Sequence, residues 1–197
     1  NALAHHQNDD SLVIAFQAKR IEKWGLADSE MSDPPTLLFG VPRSISLNQS
    51  QSRLAVSLSG DQVSVFSDSL SPLIELPEWS AAVWVDELTL CGYHPETKEL
   101  QLFTLGESER PERLVKLKRS LSAITFVPKT RMVVTGDTHG QIIGWTLEGN
   151  EIQVGALPGS RIAILSASRD QPYVFATVKR NQQGDGGACC AVFRVKT

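Results

Sequence analysis

The chain has 197 residues, enough to bury a sizeable core in one or two domains. With 41% hydrophobic and 21% charged residues it has the balance of a folded chain, and a disordered one is excluded. A net charge of −3 argues against a simple basic footprint for nucleic acid, and no apolar run approaches the roughly 18–20 residues of a membrane-spanning helix.

The chain opens with a polar stretch, Asn1 to Asp10, that lacks an initiator methionine and the apolar run of a signal peptide. Short β-rich runs follow, separated by Gly, Pro, Ser and Asp. In chain order a first group is Ala2–His5, Leu12–Phe16, Arg20–Trp24 and Thr36–Phe39, and a second is Ser44–Leu47, Leu54–Leu58, Gln62–Phe66 and Leu73–Leu76. A third group is Ala81–Val85, Leu88–Tyr93, Glu99–Phe103 and Leu114–Leu117. The fourth is Ala123–Val127, Met132–Thr135, Gln141–Trp145 and Glu151–Val154. The fifth has three runs only, Arg161–Leu165, Tyr173–Val178 and Cys189–Phe193. Helical periodicity is weak throughout. In the best stretch for a helix, 107–118, Pro111 and the extended Leu-Val-Lys-Leu pattern oppose one.

The third run of each group ends in an aromatic, at positions 24, 66, 103, 145 and 193, so the steps are 42, 37, 42 and 48. A repeat of about 40–45 residues is that of a four-stranded propeller blade. The long last step contains the polar, Gly-rich loop 181–187, which lengthens one hairpin. The repeats predicted are approximately 2–40, 43–77, 80–118, 121–157 and 160–195 within one segment, 1–197.

The stretch from Met132 to Trp145, reading MVVTGDTHGQIIGW, resembles the second and third strands of a WD40 repeat: a strand ending in small residues, a tight polar turn closing on Gly, then a strand ending in Trp. The Trp-Asp pair and the Gly-His dipeptide of that family are absent, and only Trp24 and Trp145 keep the Trp. The resemblance implies an all-β fold, a β-propeller of four-stranded antiparallel blades. WD40 rings commonly close with an outer strand from upstream of the first blade, and the fifth group lacks a fourth run. The expectation is therefore the C-terminal five blades of a larger ring of about seven, with a five-bladed ring, or one completed by another chain, as alternatives.

No enzyme signature is present: no Gly-x-Ser-x-Gly elbow, His-Glu-x-x-His, phosphate loop or dinucleotide fingerprint. Asp137 and His139 share a turn, but a pair without a third ligand is poor metal chemistry, and an Asp there usually bonds its own backbone. His5 and His6 face opposite sides of a strand, and His94, before Pro95, reads as solvated. Cys91, Cys189 and Cys190 have no zinc spacing and read as reduced thiols, which points to the cytoplasm or nucleus. Catalytic, metal and cofactor sites are expected to be absent. Trp84 reads as packing between blades. Trp79, after Pro77, reads as a partner anchor.

Loops sort by propeller face. Those between second and third strands, with those between blades, carry nine bases against six acids; the other set carries six against fourteen. The basic set supplies the candidate partner-binding residues Lys19, Arg20, Arg43, Lys118, Arg119, Arg161, Lys179 and Arg180, joined by Trp79. The function expected is a non-catalytic scaffold mediating protein–protein interaction in a larger complex, with protein partners, acidic segments among them, and no membrane or small-molecule substrate. The alternatives are an RNA-associated platform in an RNA-processing or RNA-modifying complex, and a propeller enzyme with a central-channel site.

Overall fold

A computed structural model describes residues 2–6, 10–27, 30–31, 34–107, 110–180 and 189–196. The expected all-β propeller architecture is present as five antiparallel sheets, the first four of four strands and the last of three described strands. The first is β1 (Ala2–His6), β2 (Ser11–Phe16), β3 (Arg20–Gly25) and β4 (Thr36–Leu37). The second is β5 (Pro42–Leu47), β6 (Arg53–Leu58), β7 (Gln62–Ser67) and β8 (Pro72–Pro77). The third is β9 (Ala81–Trp84), β10 (Thr89–His94), β11 (Glu99–Thr104) and β12 (Glu112–Lys116). The fourth is β13 (Leu121–Val127), β14 (Met132–Asp137), β15 (Gln141–Thr146) and β16 (Glu151–Ala156). The fifth is β17 (Ser160–Ala167), β18 (Tyr173–Arg180) and β19 (Cys189–Arg194). Neighbours in sequence are neighbours in each sheet, the up-and-down meander of a blade. No helix is long and apolar enough to cross a membrane among the described residues.

In the first four sheets the second strand is followed by a tight turn whose last residue has positive φ just before the third strand: Lys19 at 57°, Asp61 at 53°, Lys98 at 59° and Gly140 at 85°. The first strands of the second, fourth and fifth sheets each carry a bulge near their start, at 42–44, 121–123 and 162–164. A bulge increases local twist, as a blade requires.

The chain divides into two compact units, 1–95 with 103–110 and 96–102 with 111–197. In the first unit β6 is buried on both faces. Leu54, Val56 and Leu58 pack with Val13, Ala15 and Ile21 of the first sheet. Ala55, with Val63 and Val65 of β7, packs with Trp79, Ala82, Trp84 and Leu90. In the second unit Val134, Ile142 and Met132 pack with Ile162, Val174, Ala176 and Val178 of the fifth sheet. Both cores form because alternate residues of a strand project to opposite faces, so a strand apolar at every position can be covered on both.

Two expected strands are shorter than their runs, β9 by one residue and β4 by two. β4 covers only Thr36–Leu37, and Leu37 and Phe39 are each 79% exposed.

Candidate interaction surface

The fourth sheet shows how its turn is built. Asp137 Oδ1 accepts the backbone N–H of His139 at 2.8 Å and of Gln141 at 2.9 Å, so the aspartate holds its own turn. Its other oxygen lies 3.4 Å from Arg119 Nη1. On the strands behind, Trp145 Nε1 donates to Thr135 Oγ1 at 2.9 Å, and that hydroxyl donates to the Ile143 carbonyl at 3.2 Å. Trp145 is 5% exposed.

Beside this turn, within the second unit, is a cleft of about 400 Å³. One wall is β12 and the link after it: Val115, Lys116, Leu117, Lys118 and Arg119. The other wall is drawn from β14, β15 and β16 and includes Thr135, Ile143, Trp145 and Glu151. Lys118 Nζ lies 3.8 Å from Glu151 and is 88% exposed, so this pair is loose. Arg119 is 50% exposed.

The remaining predicted residues sit as follows. In the first unit Lys19 occupies the turn before β3 and is exposed. Arg20 is committed: its Nε is 2.8 Å from Glu22, whose other oxygen accepts Trp24 Nε1 at 2.8 Å, and its guanidinium lies 5.0 Å from the Phe16 ring centre. Arg20 therefore neutralises a carboxylate that is only 4% exposed. Arg43 is 55% exposed and 3.9 Å from Asp61. In the second unit Arg161 is exposed on β17, with Lys179 as its Cα partner on β18 and Arg180 opposite Ser160. The side chains of Lys179 and Arg180 and the loop 181–188 lie outside the described residues, as does His6 beyond its backbone. Among the described residues no group of three or more His, Cys, Asp or Glu could hold a metal.

Trp79 requires a correction. It is 1% exposed and sits in the core of the first unit, so it is not a surface anchor. A methyl group on Gly92 would overlap its ring, so the bare backbone there makes the slot that Trp79 fills. Trp84, 4% exposed, packs in the same core.

Two features escape a sequence reading. One is the cleft wall at Val115, Lys116 and Leu117, whose only signal is an apolar–basic alternation at the end of the third group. The other is the outward face of the fifth sheet. Phe175 is the Cα partner of both Ser166 and Val192, and Thr177 is the partner of both Ile164 and Cys190. Ile164 is 60% exposed, Phe175 49% and Val192 58%. The opposite face of the same strands, Val174 and Ala176, is buried. In the second sheet the positions that match Phe175 and Val192 are Ala55 and Val65, both buried against Ala82 and Trp84 of the third.

No protein-family model matches the chain, and no curated protein matches it. Among solved structures it is similar to Chaetomium thermophilum Raptor, with a TM-score of 0.75 and 12% identity over 100% of this chain and 19% of that one. It is also similar to the β-propeller domain of Myceliophteria thermophila Cps50 (Swd1), with a TM-score of 0.71 and 12% identity over 92% of this chain and 66% of that one. The chain thus spans about a fifth of the first and just under two thirds of the second. By its strand order, its turns and these likenesses, the chain has a β-propeller fold.

Proposed function

We propose that the chain is a non-catalytic scaffold that joins protein subunits within a larger assembly. Fold alone does not assign function. The observation that carries the reading is the open face of the fifth sheet, where Ile164, Phe175 and Val192 are about half or more exposed, while Ala55 and Val65, which match Phe175 and Val192 in the second sheet, are covered. Covering a Val, Ile or Phe side chain contributes about 1.5–3 kcal/mol, so a protein partner gains most where apolar groups lie in adjacent register. The finer part of the reading is an acidic partner. Lys118, Arg119 and Arg161 in the second unit, and Lys19 and Arg43 in the first, are exposed and, among the described residues, at most loosely paired. Arg20 contributes through the turn that it braces, and Lys179 and Arg180 through their place on β18.

The experiment compares proteins retained by the wild-type chain and by the double substitution Phe175→Asp, Val192→Asp, with quantification by mass spectrometry. Specific proteins held by the wild type and lost with the substitutions support the scaffold. Identical sets from both chains overturn it.

A further inference from the structure

We propose that the cleft between β12 and the fourth sheet receives an acidic peptide segment in extended form, with one apolar side chain against Val115, Leu117 and Ile143 and its carboxylates on Lys116, Lys118 and Arg119. This deepens the scaffold reading and rests on it.

The cations of this cleft are not used up by its own acids. Asp137 already accepts two backbone N–H groups at 2.8 and 2.9 Å, so it needs Arg119, at 3.4 Å, least. Glu151 meets Lys118 only at 3.8 Å and is 43% exposed. Lys116 has Glu99 as its Cα partner across the sheet. That carboxylate is engaged by Arg113 Nε at 3.6 Å and accepts from Thr97 Oγ1 at 3.1 Å. No ion pair is formed by Lys116 among the described residues, and its side chain is exposed. Three cationic residues thus line the cleft against two carboxylates, of which Asp137 is held by its own turn and Glu151 is met only loosely by Lys118. A ligand carboxylate entering here displaces only weak contacts and gains an arginine fork that can bind it through two hydrogen bonds.

The floor decides between ligand classes. Leu117 is 8% exposed and Val115 partly buried, so the cleft has an apolar base under its charged rim. A peptide supplies both an apolar side chain and flanking carboxylates. A single-stranded nucleic acid would need an open aromatic face for its bases. Trp145 offers none, being 5% exposed with its N–H held by Thr135. β12 is also the outer strand of its sheet, so an extended segment can lie along it.

The test is calorimetric titration of the whole chain with a capped five-residue peptide, a leucine flanked on each side by two glutamates. Saturable 1:1 binding is expected, weakening about tenfold or more with Lys116→Glu and less with Lys116→Gln, since reversal adds repulsion where neutralisation only removes attraction. Replacing the peptide leucine by serine should weaken binding by a similar factor. Both lysine variants are checked for native circular dichroism, and the glutamine variant keeps the test open if the reversal fails to fold. Absence of binding, binding unaffected by both lysine variants, indifference to the leucine, or tighter binding of a five-nucleotide oligouridylate each overturns the proposal. The partner set lost with Phe175→Asp, Val192→Asp is read separately, so failure at the cleft is distinguishable from failure of the scaffold.

Discussion

The hydrogen bond from Trp145 to Thr135 permits a test of the packing of the fourth sheet. Thr135→Val keeps the shape of the side chain and removes its hydroxyl. The indole N–H, in a residue 5% exposed, then has no acceptor in the position that held it at 2.9 Å. An orphaned buried donor costs about 1–3 kcal/mol. For a chain of this size each kcal/mol lowers Tm by about 2–4 °C, so the expected drop is about 2–12 °C. Trp145→Phe removes the donor, and the double substitution leaves no indole N–H to be orphaned, while the bond from Thr135 to the Ile143 carbonyl is lost equally in the single and the double threonine variants. The double variant should therefore be less destabilised than the sum of the single ones, with a coupling of about 0.5–3 kcal/mol. Urea unfolding followed by circular dichroism measures all four chains. Additivity within about 0.3–0.5 kcal/mol would refute the reasoning, because it would show that the indole N–H finds another partner or water.

Trp145→Ala should cost about 3–5 kcal/mol in the same assay, the range for a large aromatic taken from a core; a loss below about 1 kcal/mol would place the ring at the surface. Gly92→Val should destabilise by about 1–3 kcal/mol or more because the new side chain collides with the Trp79 ring, and Trp79→Ala in that background should recover part of the loss. Of three thiols, Cys189 and Cys190 are exposed and should react quickly with a disulfide reagent, while Cys91 should react only on unfolding. Burial pushes the Cys91 thiol up from 9.0 to about 12. Its protonated form is thus favoured in the folded chain, and its contribution to stability should be full below pH 9 and decline between pH 9 and 12, a window to be scanned by urea unfolding of wild type and Cys91→Ala. A slope equal in the two chains would contradict the assignment.

The five third strands were legible because each couples a period-two apolar pattern to a terminal aromatic and a polar turn, as in Gln141 to Trp145. Such signals are local, and so is the architecture they specify. The short β4 was less legible: Leu38 and Phe39 continue an apolar run, yet backbone pairing with β3 ends at Leu37. Trp79 misled because a tryptophan after a proline reads as a loop tip. The clue to its burial lies in another strand, at Gly92, where a missing side chain in a β-rich run marks a close approach. Arg20 read as a free cation because its partner, Glu22, stands two residues on, on the same face of the same strand, and alternation alone does not tell which face a neighbouring sheet covers. The cleft was not legible for a different reason. It requires Val115 to Arg119 beside Thr135 to Gln153, and no local periodicity reports which edge strand borders which sheet.

The hairpin turns carry a record of what each position is permitted to be. At Gly140 a side chain would run into the carbonyls of Leu157 and Ser160, so the φ of 85° and the crowding together admit only glycine. Lys19 and Lys98 hold the same left-handed place before their own third strands, at 57° and 59°, where the lysine backbone carries a penalty of about 1–3 kcal/mol that glycine would avoid. These two turns thus mark sites where a more stable variant is one substitution away and would remove a positive charge. If Lys19→Gly and Lys98→Gly raise Tm, the hairpins become the natural starting points for separating the robustness of this chain from whatever its charged rim recognises.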